Sequence, residues 1–201
     1  MYRRLLLSIS TLALLTTVNN SSAAILRCDA GTGALQTGWT QVVAGLNTDV
    51  AGTGIDVTLA TGNPSAIAER GAAQTGGGAG PLAAVEEDLY FANDETTSPG
   101  SDFILTLGGL PAGRYLLKSY HNRSNEAATT IPGVTVTGAT DVTVPAFIVQ
   151  DHDIMANPAE ILFTSSGSDV VIRYQGPAGG CVGCQAFFNG FELETSGPTA
   201  Q

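Results

Sequence analysis

The chain has 201 residues and carries 8 basic against 18 acidic groups, a formal charge of −10. That balance excludes sequence-independent nucleic-acid binding, which needs Lys and Arg to neutralise phosphates, and argues equally against docking on anionic membrane. Glycine supplies 25 residues and charged residues only 13%, which suits short strands and turns in one domain better than a helix bundle.

In chain order, residues 1–4 include Arg3 and Arg4 and are followed by an apolar run at 5–15, then by small residues Ser22 and Ala24. This pattern predicts a signal peptide of residues 1–24, cut after Ala24, and an exported protein of 25–201. The apolar run is too short to span a bilayer. Strands are expected at 25–28, 37–43 and 54–59, where apolar residues alternate between turn signals. Residues 63–80 read as an Ala/Gly-rich loop. One short helix is expected at 81–88, with Pro81 in its first turn and Leu82, Val85 and Leu89 on one side.

Residues 102–122 read as a hairpin. Phe103, Leu105 and Leu107 alternate, Leu110-Pro111-Ala112-Gly113 turns, and Tyr115, Leu117 and Ser119 resume the alternation. Further strands are expected at 134–137, 142–149, 160–164, 169–174 and 186–194, with Gly190 marking a bulge in the last. Nine or ten strands without a long helix predict an all-β, single-domain β-sandwich or jelly roll over 25–195, followed by a tail at 196–201.

Three cysteines follow the signal, Cys28, Cys181 and Cys184. In an oxidising compartment two of the three pair and one thiol is left over. Cys28 with Cys181 or Cys184 would staple the chain ends, and Cys181 with Cys184 is the rival pairing.

Three segments resemble the galactose-binding-like jelly rolls, the group that includes malectin-like carbohydrate-binding modules. They are Ile25-Leu26-Arg27-Cys28-Asp29-Ala30-Gly31, the run from Asp102-Phe103-Ile104-Leu105-Thr106-Leu107 into Gly109-Leu110-Pro111-Ala112-Gly113-Arg114-Tyr115, and Phe188-Asn189-Gly190-Phe191-Glu192-Leu193-Glu194. The resemblance implies a last strand that returns beside the first. It also implies a carbohydrate or cell-surface glycan as partner, held without chemical change at the sandwich rim.

A sugar site pairs a flat aromatic face with groups that read hydroxyls. Trp39 in a polar-rich expected strand, Tyr90 and Asp94 at an aromatic-plus-acid edge, and Tyr120, His121, Asn122 and Arg123 where a long strand runs into a loop have those chemistries. The plainer alternative is that Trp39 and the tyrosines fill the core or cover its rim. The resemblance also implies a structural calcium where the terminal strands meet, with Asp29 and Glu192 as its oxygens. Asp151-His152-Asp153 reads as a solvated turn, and Cys181-Val182-Gly183-Cys184 as a disulfide rather than a redox or zinc motif.

Catalytic signatures are absent from the sequence: there is no Gly-x-Ser-x-Gly, no His-Glu-x-x-His and no phosphate-cradling loop. A Ser–His–Asp set assembles only on paper, from Ser119, His121 and Asp102. Together with the resemblance, this makes a non-catalytic exported carbohydrate-binding module the expected function. A structural or adhesive surface module with protein partners is the alternative, and a glycan hydrolase the third.

Overall fold

The computed structural model describes residues 24–62, 67–70, 82, 85, 89–92, 102–121, 129–150, 158–176 and 186–197. Two sheets carry the architecture. The larger has the order β11 (Ala139–Thr143), β13 (Ala159–Ser165), β8 (Gly113–Tyr120), β16 (Gly190–Thr195), β1 (Ala24–Ala30) and β2 (Thr40–Val42). The second runs β10 (Gly133–Thr137), β14 (Val170–Gln175), β7 (Phe103–Gly108), β4 (Ile55–Thr61) and β3 (Asn47–Val50). Two smaller sheets complete the set. One pairs β12 (Ile148–Gln150) with β9 (Thr129–Ile131), and the other is ordered β15 (Ala186–Phe188), β6 (Leu89–Ala92), β5 (Ile67–Arg70).

The two main sheets pack as a sandwich, as the alternation predicts. Phe103, Leu105 and Leu107 of β7, Ile55, Val57 and Leu59 of β4, and Val170, Ile172 and Tyr174 of β14 point inward. They join Tyr115, Leu117, Ile161, Phe163, Phe191 and Leu193 of the larger sheet in one buried cluster. Each such side chain contributes roughly 1.5–3 kcal/mol by leaving water, which is the main force holding the sheets together. β1 and β16 lie side by side and antiparallel, with Arg27 opposite Glu192 and Cys28 opposite Phe191.

The expected hairpin at 102–122 is not one. β7 belongs to the five-stranded sheet and β8 to the six-stranded sheet, so residues 109–112 arch from one layer to the other. Leu110 is fully buried in the arch, and the Tyr115 hydroxyl donates to the Pro111 carbonyl at 2.9 Å. The link from β13 to β14 changes sheets in the same way, as does the one from β10 to β11 at Gly138. Alternation reports which face of a strand is buried, and that is the same for a hairpin partner and for a strand facing it across the core. The short hairpin among the described residues is β3–β4, a pairing that the polar sequence Asn47-Thr48-Asp49-Val50 did not announce.

Four other expectations change in detail. The segment 63–80, read as a loop, contains the strand β5 at Ile67–Arg70, paired with β6. Only Thr40–Val42 of the segment 37–43 is strand, and Trp39 sits in the preceding turn, its N–H donating to the Gln36 carbonyl at 3.0 Å. The segment 142–149 divides into the end of β11 and the start of β12, with Pro145 between them. The last strand breaks at Asn189: β15 pairs with β6, whereas β16 pairs with β8 and β1. Gly190 keeps regular register opposite both Tyr120 and Asp29, so the chain changes sheets there rather than bulging. Of the expected helix at 81–88, only Leu82 and Val85 are described, and both pack on Trp39 and Tyr120.

Candidate functional site

The strands bring Trp39 and Tyr120 together on the outer side of the larger sheet. Their ring centroids are 6.0 Å apart with the planes tilted by 48°. Val85, fully buried, and Leu82 cover them, which leaves Trp39 8% and Tyr120 5% exposed. Neither ring offers a free face to a pyranose. The Tyr120 hydroxyl donates to Glu192 Oε2 at 3.2 Å, and Arg27 Nε donates to Glu192 Oε1 at 2.8 Å. Burial, then the neighbouring Glu192 charge, pushes the Tyr120 phenol well up. Tyr90, on β6, lies in the main core.

His121 is turned inward at the end of β8. Its Nδ1 lies 2.7 Å from the Phe187 carbonyl oxygen. A carbonyl only accepts, so Nδ1 carries the proton and Nε2 is bare. The bare nitrogen accepts from the Ser119 hydroxyl at 2.8 Å. The ring also packs on Tyr174 and Phe188, with centroids at 4.9 and 5.5 Å. Burial pushes the His121 pKa down to about 4, only partly offset by the bond to Phe187.

Ser119 and His121 thus do meet, because residues two apart on a strand share a face. Ser119 is fully buried and His121 nearly so, so the pair lies inside the fold. Asp102, the third member of the paper triad, is engaged elsewhere. Its carboxylate accepts from Arg173 Nε and from the Gly176 N–H.

The sequence reading missed the partners that hold this arrangement. The Phe187 N–H donates to the Gln150 amide oxygen at 2.5 Å. His121 and Gln150 therefore take both backbone groups of the middle residue of β15, an edge strand, and tie its sheet to the end of β8 and to β12. Tyr174 falls in the strand expected at 169–174. Gln150 carried no signal, because nothing local marks a glutamine that will cap a distant strand.

Asp29 is buried beside Cys28, and its Oδ2 accepts from the Gln36 N–H at 2.9 Å. Glu192 spends one oxygen on Arg27 and the other on Tyr120. Among the described residues no group of three or more His, Cys, Asp or Glu gathers in a way that could hold a metal ion. Asp94, Asn122, Arg123, Cys181, Cys184 and the Asp151-His152-Asp153 run lie outside the described residues.

Cys28 is a free, buried thiol in this structure, so the ends are joined by the β1–β16 ladder without a bond from Cys28. Burial, with Asp29 beside it, pushes the thiol up to about 12. Thiolate is the reactive form. Iodoacetamide applied to the native protein at mild alkaline pH is therefore expected to leave Cys28 unmodified and to label it fully once the chain is unfolded. Peptide mapping checks this, and rapid native labelling of Cys28 would contradict it.

No family model matches the sequence, and no curated protein matches it. Among solved structures the chain is similar to protein YxiM from Bacillus subtilis, at 18% identity and a TM-score of 0.47. The match covers 85% of this chain and 40% of that one, so the chain spans less than half the length of the protein it resembles. Among the described residues no helix is long and apolar enough to cross a membrane.

Proposed function

We propose that the protein is an exported, non-catalytic β-sandwich module that acts through its surface as a structural or adhesive element with protein partners. One observation carries this reading. The described aromatic and histidine side chains suited to a sugar site are spent inside the fold: Trp39 and Tyr120 under Val85, Tyr90 in the core, and His121 between Ser119 and Phe187. Exposed apolar side chains lie elsewhere. Val142, Phe147 and Val149 are 39%, 58% and 50% exposed and fall within one short stretch of chain.

Carbohydrate binding is the second reading. The resemblance to galactose-binding-like modules supports it, as does the pairing of the terminal strands. It would place the sugar on Asp94, Asn122 and Arg123 rather than on the buried rings.

The test screens the exported protein on a broad glycan and polysaccharide panel, with and without a calcium chelator. In parallel, the labelled protein is bound to cell envelopes pretreated with protease or with glycosidases. The expected result is no glycan retained and envelope binding removed by protease alone. A glycan hit lost in Asn122→Ala or Arg123→Ala, with folding intact, overturns the adhesive reading in favour of the second. A hit lost only on chelation points to an ion, at the site or supporting it.

A further inference from the structure

Position 190 admits no side chain. A Cβ there would stand 2.4 Å from the Cys28 carbonyl oxygen and 3.2 Å from Val85 Cγ1. Position 189 is equally committed. Asn189 is fully buried, and its side-chain amide donates to the Val85 carbonyl at 3.3 Å. Its N–H donates to the Tyr120 carbonyl at 3.0 Å, and its own carbonyl accepts from the Ala30 N–H at 2.8 Å. Packing on one side and hydrogen bonding on the other thus impose the dipeptide Asn-Gly where the chain changes sheets. An asparagine followed by glycine is also the pair most prone to lose its side-chain ammonia, because a residue without a Cβ lets its nitrogen reach the asparagine Cγ unhindered.

We infer that Asn189–Gly190 is a hydrolytic deamidation site that the native fold holds shut, and that its reaction in the opened chain blocks return to the native state. The co-reactant is water. The Gly190 nitrogen gives up its proton to base and attacks Asn189 Cγ. The new N–Cγ bond forms as the Cγ–Nδ2 bond breaks, and the departing nitrogen takes up the proton from the base and leaves as ammonia, so that a five-membered imide remains. Water then adds to either imide carbonyl and opens the ring to aspartate or to β-linked isoaspartate, with no change of oxidation state.

Three features oppose the reaction in the native state. The bonds to Tyr120 and Ala30 clamp the Asn189 backbone from β8 and β1, the bond to Val85 holds the amide, and burial excludes water. The same features make the product intolerable. A carboxylate at position 189 would be buried against a carbonyl oxygen to which it cannot donate. An isoaspartate would lengthen the main chain where β16 keeps register with both neighbours.

The test incubates the full protein at mild alkaline pH, native and in denaturing urea, beside a synthetic peptide of residues 186–194. Deamidation at Asn189 is followed by peptide mapping and isoaspartate content. The native protein is expected to react at least ~100-fold more slowly than the unfolded chain, which should match the peptide, because exchange occurs only through rare opening. A native rate within about threefold of the unfolded rate would overturn the inference. In a second arm the urea is removed. Unmodified chains are expected to recover the native near-ultraviolet spectrum and deamidated chains to stay non-native, as should an Asn189→Asp variant. Equal recovery of both populations would sink the second half of the inference.

Discussion

Acidification from neutral pH to pH 4 is expected to remove about 2–4 kcal/mol of stability through His121 alone. The sign follows from the direction of the shift. The folded protein holds His121 at about 4, well below the ordinary value near 6.5. Between those values the unfolded chain binds a proton that the folded chain does not, so stability rises with pH across the window. The contribution is complete above about pH 6.5, falls as the pH drops toward 4, and levels off below.

The physical cause is the site itself. A cationic imidazole would sit in a pocket of Tyr174 and Phe188, and its Nε2 would no longer accept from Ser119. Urea unfolding of the wild type and of His121→Asn across this range checks the expectation. The variant should be less stable at pH 7 yet lose about 2–4 kcal/mol less on acidification, since the carboxylates common to both chains cancel. Parallel curves would refute it. Should the variant not fold, the His121 ring resonance of the wild type settles the question by showing whether it titrates near 6.5.

Gly190→Ala is expected to cost at least about 3 kcal/mol, or to prevent accumulation of native protein. The added carbon would meet the Cys28 carbonyl oxygen at 2.4 Å, with Val85 Cγ1 and Trp39 Cζ3 at 3.2 and 3.4 Å behind it. Side chains could give by a few tenths of an ångström. The carbonyl cannot, because Cys28 pairs with Phe191 on one side and Thr40 on the other, and shifting it would break the ladders that join β1 to β16 and β2. Gly197→Ala is the control, since a Cβ there meets nothing within 4 Å. A melting temperature for Gly190→Ala within about 2 °C of the wild type would contradict the steric argument.

Much of the fold was legible where one local property decides it. Phe103, Leu105, Leu107, Val170 and Ile172 alternate with outward residues and all point into the core, because a half-buried strand has a period of two. What alternation does not carry is the identity of a strand's neighbour. β7 and β8 face each other across the sandwich instead of pairing, although their turn at 109–112 has the composition of a hairpin. The same limit hid β3, whose Asn47 and Asp49 are exposed on an edge strand and so give no apolar signal.

The candidate site divides along the same line. Sequence reading picked out Trp39, Tyr120 and His121 by side-chain chemistry, which is local. Whether an aromatic ring meets solvent or another side chain depends on residues distant in the chain, here Val85 over Trp39 and the Phe187 carbonyl at His121. The sequence by itself determined the all-β class, the inward faces and the net negative charge, since period, composition and ionisation are properties of residues taken a few at a time. Only the tertiary structure decided which strands pair, that Gly190 marks a change of sheet, and that Ser119, His121 and Gln150 hold β15. Each of those depends on contacts between segments tens of residues apart, where burial, steric exclusion and hydrogen-bond satisfaction act together.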